Sequence, residues 1–259
     1  MKYLDNNIVS IYYTEAVVTS ITKFCLLIKD YPFIIKPFRG VNEKARDIFS
    51  KEHFLLYSTV KRTTLFYDRM IDCFFKILHP LTLKHKIVFH LKNKAKSIYN
   101  LSEYLLSRDM KVPRVIAYGF FKKGKVPFFV MKMIEGKSLY DILIRKQNSI
   151  PWDMYLEVAD EVARFHRLGY WFGDAHLSHI FVNDSGVSGF IDIDTMKNNK
   201  PFRLKNLAKD LAGLNHPELP ITEEDKIKLI NYYMNKLKIK REKDFLKLIK
   251  YYSERRWKE

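Results

Sequence analysis

The chain has 259 residues, 47% hydrophobic and 15% aromatic, a composition that excludes a disordered polymer and leaves room for one or two cores. Lysine and arginine number 46 against 29 aspartate and glutamate, a formal charge of +17; this favours phosphates, anionic lipid or nucleic acid as neighbours, although a solvated lysine-rich surface has the same composition. Cys25 and Cys73 are the only cysteines, each in an apolar run, so a disulfide framework is excluded and buried thiols in a reducing cytosol are expected.

No uninterrupted apolar run approaches the ~18 residues of a membrane span, and the opening MKYLDNN lacks a signal-peptide core, so any membrane contact is expected to be peripheral. Residues 7–38 are rich in Ile, Val, Tyr, Phe and Thr, and KFCLLIKD and FIIKPF, separated at Tyr31 and Pro32, predict an antiparallel hairpin. Residues 39–96 form a basic stretch predicted to be helical and broken at Pro80; within it MIDCFFKIL is a short apolar segment suited to core packing or, beside so many lysines, to a membrane interface. AKSIYNLSEYLLSRDM has helical spacing and stops before Pro113. VPRVIAYGFFKKGKVPFFVMKMIEG predicts two strands turning at Lys123 and Gly124, and SLYDILIRK begins a helix. Residues 153–168 carry Leu156, Val158, Ala159, Val162 and Phe165 on one helical face, HIFVNDSGVSGFIDID predicts two short strands around Asp184 to Gly186, and the remainder is helical. Strands with a helix, then a connection, then mostly helices predict an α+β protein with two lobes, 1–134 and 135–259, and a cleft between them.

Chemistry concentrates in GYWFGDAHLSHIF, where Asp174, His176 and His179 precede an apolar strand. In the catalytic loop of protein kinases an Asp positions the acceptor hydroxyl and takes its proton, and a metal-binding Asn follows five residues later. Asp174 suits the first role, and His179 stands at the second position. A metal-binding Asp is required after the next hairpin, and FIDID supplies Asp192, with Asp194 as the alternative. An upstream lysine at a strand end should hold phosphates; Lys36 qualifies, because a residue before proline favours extended backbone. The backbone of Lys132, Met133 and Ile134 is then expected to pair with an adenine edge.

The segments YPFIIKPFRG, VPRVIAYG, FGDAHLSHIFV, FIDID and RLKNLAKDLAGL together resemble the lipopolysaccharide kinase (Kdo/WaaP) family from about Tyr31 onward. The resemblance implies a protein-kinase-like fold, ATP with Mg2+ or Mn2+, and a sugar hydroxyl of the lipopolysaccharide inner core, on heptose or Kdo, as acceptor. The surplus positive charge is expected to hold a cytoplasmic enzyme peripherally at the anionic inner membrane; a nucleic-acid function follows from charge alone, has no motif behind it and ranks third, so no nucleic acid is expected as partner. Members of the family can carry His at the metal position, and Asp210 resembles the helix carboxylate that braces the catalytic loop. Two features depart from kinase pattern: no glycine precedes Gly40, so no glycine-rich loop covers the phosphates, and Asn100 stands where a Glu should pair with Lys36, with Glu103 one turn on.

Other readings compete. His176 and His179 form an H-x-x-H pair, but zinc needs further ligands and none stands at diagnostic spacing; His176 is expected to orient the loop by a hydrogen bond. A pseudokinase that binds a membrane or partner is the alternative from another class, motivated by the missing glycine loop. A protein Ser/Thr kinase is the alternative enzyme, disfavoured by Gly173 in place of the usual Arg. The C-terminal KLKIKREKDFLKLIKYYSERRWKE is expected to be a packing helix, with a lipid-facing helix as its competitor.

Overall fold

The computed structural model describes residues 1–14, 17–31, 43–60, 62–91 and 93–258. The chain divides into two compact units, Met1–Ser107 with Pro113–Met133, and Arg108–Val112 with Ile134–Glu259.

In the first unit the opening hairpin is made by β1 (Lys2–Asp5) and β2 (Val9–Tyr13), which pair antiparallel. Asn6 sets the turn, its side chain accepting from the N–H groups of Ile8 and Val9 at 2.8 and 2.9 Å. KFCLLIKD, expected as a strand, lies in α1 (Val18–Asp30). The correction has a plain cause: Ile21, Phe24, Cys25 and Ile28 are its buried residues, and that i, i+3, i+4, i+7 spacing is a helical stripe which a count of strand-favouring residue types overlooks. FIIKPF, the other half of the expected hairpin, falls outside the described residues, and Lys36 with it.

The basic stretch expected to be helical is also corrected. It holds α2 (Glu43–Lys51) and α3 (Leu83–Leu91), but between them run three strands, β3 (Phe54–Val60), β4 (Thr63–Asp68) and β5 (Cys73–Leu78). Burial in β4 alternates strictly along the strand, the period-two signature of a sheet with two distinct faces; lysines at the connections had masked it. MIDCFFKIL is therefore neither helix nor membrane-facing segment, since Cys73, Phe75 and Ile77 in β5 are wholly buried.

Helix α4 (Lys94–Leu106) and strands β6 (Val115–Phe121) and β7 (Val126–Lys132) agree with expectation. One antiparallel sheet results, in the order β1-β2-β6-β7-β5-β4-β3. Phe24 of α1 meets Phe49, Phe54, Phe66 and Phe75 at ring-centroid separations of 4.5 to 5.9 Å on one face. On the other face Tyr99 of α4 stacks on Tyr118 at 4.9 Å. Cys25 and Cys73 are buried free thiols; burial pushes them up to about 12 and about 11, so both stay protonated.

The second unit begins with β8 (Lys137–Ser138) and a π-helical turn, Tyr140–Arg145, where a helix is expected to begin. Lys146 N–H bonds to Asp141 carbonyl five residues back. Helix α5 (Trp152–Arg167) and strands β10 (Ile180–Asn183) and β11 (Gly186–Phe190) fall where the sequence puts them. Two-residue strands β9 (Tyr170–Trp171) and β12 (Lys197–Asn198) pair with each other and tie together the ends of the chemically rich segment. Helices α6 (Leu204–Leu214), α7 (Glu223–Leu237) and α8 (Glu242–Trp257) complete it. Phe165, Phe172 and Phe190 pack mutually at 5.0 to 5.5 Å beneath the loop. No helix among the described residues is long and apolar enough to cross a membrane.

Candidate active site

Leaving β9, the chain turns at Gly173, whose φ of +78° is a conformation that side chains resist; a Cβ there would also meet the Thr195 carbonyl at 2.9 Å. The loop is held from below by Asp210 on α6, which is 1% exposed. Its carboxylate accepts from the N–H of Phe172 at 2.7 Å and of Gly173 at 3.2 Å, and from His166 Nε2 at 3.1 Å. His166 Nδ1 in turn accepts from the Tyr233 hydroxyl, which burial and then the Asp210 charge push well above the ordinary tyrosine range. A buried carboxylate is stable only when its lone pairs are occupied, and here three donors do so. Asp174 follows directly and is presented to solvent, its side chain 64% exposed, with Arg256 Nη2 of α8 at 3.1 Å from Oδ1.

After Asp174 a short 3-10 turn, Leu177–His179, begins at His176. His176 Nδ1 accepts from Ser178 N–H at 3.1 Å and lies 2.7 Å from Ser178 Oγ. Its pKa is lowered, first by burial and then by the neighbouring His179, Arg256 and His216 charges. The geometry is a helix cap, not a ligand posture. His179 Nδ1 lies 3.1 Å from the Asp174 carbonyl, which orients the ring so that Nε2 reaches 3.7 Å from Asp192 Oδ2. Asp192 itself takes the left-handed conformation, φ 63°, where a non-glycine residue costs of order ~1 kcal/mol and persists only if its surroundings hold it. They do: Ile191 N–H bonds to the His179 carbonyl at 2.9 Å, and Thr195 N–H and Oγ1 to the Asp192 carbonyl at 3.0 and 2.8 Å.

Asp174, His179 and Asp192 are thus brought together. Among the described residues no group of three or more His, Cys, Asp or Glu could hold a metal. One imidazole nitrogen and one carboxylate 3.7 Å apart suit a cation whose other ligands are phosphate oxygens and water.

Of the residues expected to pair with an adenine edge, Lys132 and Met133 close the first unit and Ile134 belongs to the second. Lys132 N–H is bonded to the Arg114 carbonyl at 2.9 Å and Met133 N–H to the Asp72 carbonyl at 3.0 Å, so of the three residues Ile134 keeps a donor outside the sheet. Sequence reasoning also passed over Lys76. Among the described residues it is the one buried lysine, 5% exposed, lying in β5 opposite Phe129 of β7, itself opposite Tyr118 of β6. Register therefore puts Lys76 on the sheet face that α4 covers. The available signal was CFFKIL, a lysine within an otherwise apolar strand. Arg256 had no local signal, standing 82 residues from Asp174.

A strand-rich unit and a mostly helical unit make an α+β protein whose loop of Asp174, His179 and Asp192 is braced by the buried Asp210 carboxylate, and the kinase class follows from the family. The sequence profile of the lipopolysaccharide kinase (Kdo/WaaP) family matches residues 89–233, more than half of the chain, and the chain belongs to that family. Among solved structures it is similar to the bifunctional kinase-methyltransferase WbdD, at 14% identity with a TM-score of 0.48, covering 74% of this chain and 47% of that one. It is also similar to an aminoglycoside-3'-phosphotransferase of type VIII, at 14% identity and a TM-score of 0.48, covering 77% and 93%. The chain thus spans about half the length of WbdD. No curated protein matches it significantly.

Proposed function

We propose that the protein is an ATP-dependent kinase that phosphorylates a hydroxyl of a heptose or Kdo sugar in the lipopolysaccharide inner core, working at the cytoplasmic face of the inner membrane. The observation that carries this reading is the approach of His179 Nε2 to Asp192 Oδ2, 3.7 Å, immediately beside the exposed Asp174 carboxylate. Family membership supports the sugar acceptor.

Asp174 accepts the proton of the acceptor hydroxyl as that oxygen bonds to the γ-phosphorus. The bond from this phosphorus to the β–γ bridging oxygen breaks, and ADP leaves with its electron pair. His179 and Asp192 would hold a divalent ion, Mg2+ or Mn2+, whose chemistry there would be to neutralise phosphate charge. Further neutralisation of the phosphates is the role assigned from sequence to Lys36; among the described residues the buried lysine of β5, Lys76, is the candidate for it. Ile134 N–H, with carbonyls of Lys132 and Met133, faces the adenine. Asp210 keeps the loop in register but touches no reactant.

The test is transfer of labelled phosphate from ATP to dephosphorylated inner-core oligosaccharide by the full chain, with products identified by mass spectrometry. One added phosphate per acceptor is expected, absent with Asp174→Asn. A folded, ATP-binding protein that leaves every core sugar unmodified would sink the reading.

A further inference from the structure

Beside Asp174 lies a concavity of about 290 Å³ lined by Gly173, Ala175, Lys209, Asp210, Ala212, Tyr252, Arg255 and Arg256. Its charges do not cancel. Asp210 is buried and already accepts from three donors. Lys209 Nζ lies 5.2 Å above the Tyr252 ring and 5.9 Å from that of Trp171, with no carboxylate partner among the described residues. Arg255 donates to the Tyr251 hydroxyl at 3.0 Å and rests over that ring. Lys197 Nζ, 5.1 Å over Trp171, flanks the same opening and comes within 3.5 Å of where a Gly173 Cβ would stand. Cations held over aromatic faces rather than by carboxylates are fixed in place while their positive potential stays uncompensated.

The geometry fixes where that potential points. Arg256 shares one nitrogen with Asp174 at 3.1 Å, and Trp257 Nε1 pins the same end of α8 to the Ala212 carbonyl at 2.9 Å. Gly213 gives the guanidinium room, since a Cβ there would lie 3.0 Å from Arg256 Nη1. An anion seated on Arg256 therefore sits next to the catalytic carboxylate, and any hydroxyl presented to Asp174 is a few bonds away from it. At about 290 Å³ the space is near the lower end of small-molecule pockets, ~300–1,000 Å³, suiting one sugar ring with its substituent and not an extended chain.

We infer that this concavity is an anion subsite for the acceptor: Lys209, Arg255 and Arg256 take a phosphate or carboxylate already carried by the sugar, and so select acidic over neutral acceptors. This rests on the kinase reading above for the word acceptor, but not for the anion. Guanidinium groups bind phosphate and carboxylate in paired hydrogen bonds, and Arg256 does so while keeping one nitrogen on Asp174.

The test uses the full chain without nucleotide or metal, titrated with inorganic phosphate, mannose 6-phosphate and mannose by calorimetry. Mannose 6-phosphate is expected to bind more tightly than phosphate, with mannose not measurable. Lys209→Gln, Arg255→Gln and Arg256→Gln should each weaken it ~10-fold or more, the loss of one charge-assisted contact, whereas Lys228→Gln on α7 should not. Phosphate binding that falls with Lys76→Met and not with Lys209→Gln reports the nucleotide site and overturns the inference. Mannose 6-phosphate no tighter than phosphate marks a site for the free ion and also overturns it. ATP turnover of the same proteins separates the two ideas. Lys209-dependent binding without any turnover removes the kinase reading and supports the anion site, while turnover with binding indifferent to all three substitutions removes the anion site alone.

Discussion

Asp174 and Asp210 are both carboxylates of one loop system, and their surroundings give them opposite duties. Asp174 is 64% exposed at its side chain and free to meet an acceptor; Asp210 is 1% exposed and saturated. Asp174→Asn is therefore expected to lower phosphoryl transfer by ~10²–10⁴, the usual worth of a general base, with unchanged melting temperature and ATP affinity; near-normal turnover would take Asp174 out of the mechanism. Asp210→Ala leaves the N–H groups of Phe172 and Gly173 and the His166 ring without their acceptor, and should cost ~3–5 kcal/mol of stability, read from denaturant unfolding. His176 gives a pH signature. Its folded pKa lies below the ordinary 6.5, first because of burial, so its neutral form contributes stability that is complete above 6.5. That contribution is lost as pH falls through the lower folded value. His176→Asn, which keeps an acceptor for Ser178 N–H, should flatten this acid-side slope; an identical slope in both proteins would contradict the assignment.

At the scale of elements, β5 decides what the first unit can do. Its odd residues Cys73, Phe75 and Ile77 feed the core with α1, and its even residue Lys76 faces the α4 side. Lys76→Met keeps the aliphatic stem and removes the charge, so it should abolish nucleotide-dependent transfer; retained ATP affinity would return the role to Lys36. The opening hairpin is an integral part of the sheet through close approach at Gly119, where a Cβ would collide with the Ser10 carbonyl oxygen and lie 2.9 Å from Ile11 Cα. Gly119→Ala is expected to cost ~1–3 kcal/mol as an overpacked contact, and to expose residues 1–14 to proteolysis before the rest of the chain. Equal protease resistance would show that β2 can shift without loss.

At the scale of the whole molecule, the +17 charge is proposed to hold the enzyme near anionic lipid. Binding to vesicles containing anionic lipid should then fall steeply with salt, because exposed charges are screened over about 8 Å at physiological ionic strength. Salt-insensitive binding, or none, would leave the charge as a solubility feature.

Sequence alone determined the parts whose information is local. Helix α5 was legible from its 3.6-residue stripe, the β6 and β7 hairpin from its turn, and the proximity of Asp174, His179 and Asp192, whose roles are proposed, from spacing, since a loop and the following hairpin carry their groups on one short stretch of chain. Family resemblance followed from the same stretches. What failed was the assignment of α1 as a strand and of β3 to β5 as helix, where residue types favouring one element were outvoted by which face the sheet had to bury. Lys76 on β5 and Arg256 on α8 belong to the second kind of information. A lysine acquires a purpose from the strands on either side of it, and an arginine 82 residues from its aspartate meets it only when α6 and α8 pack. Long-range partners of that sort leave no periodicity in the chain, so only the tertiary structure could supply them.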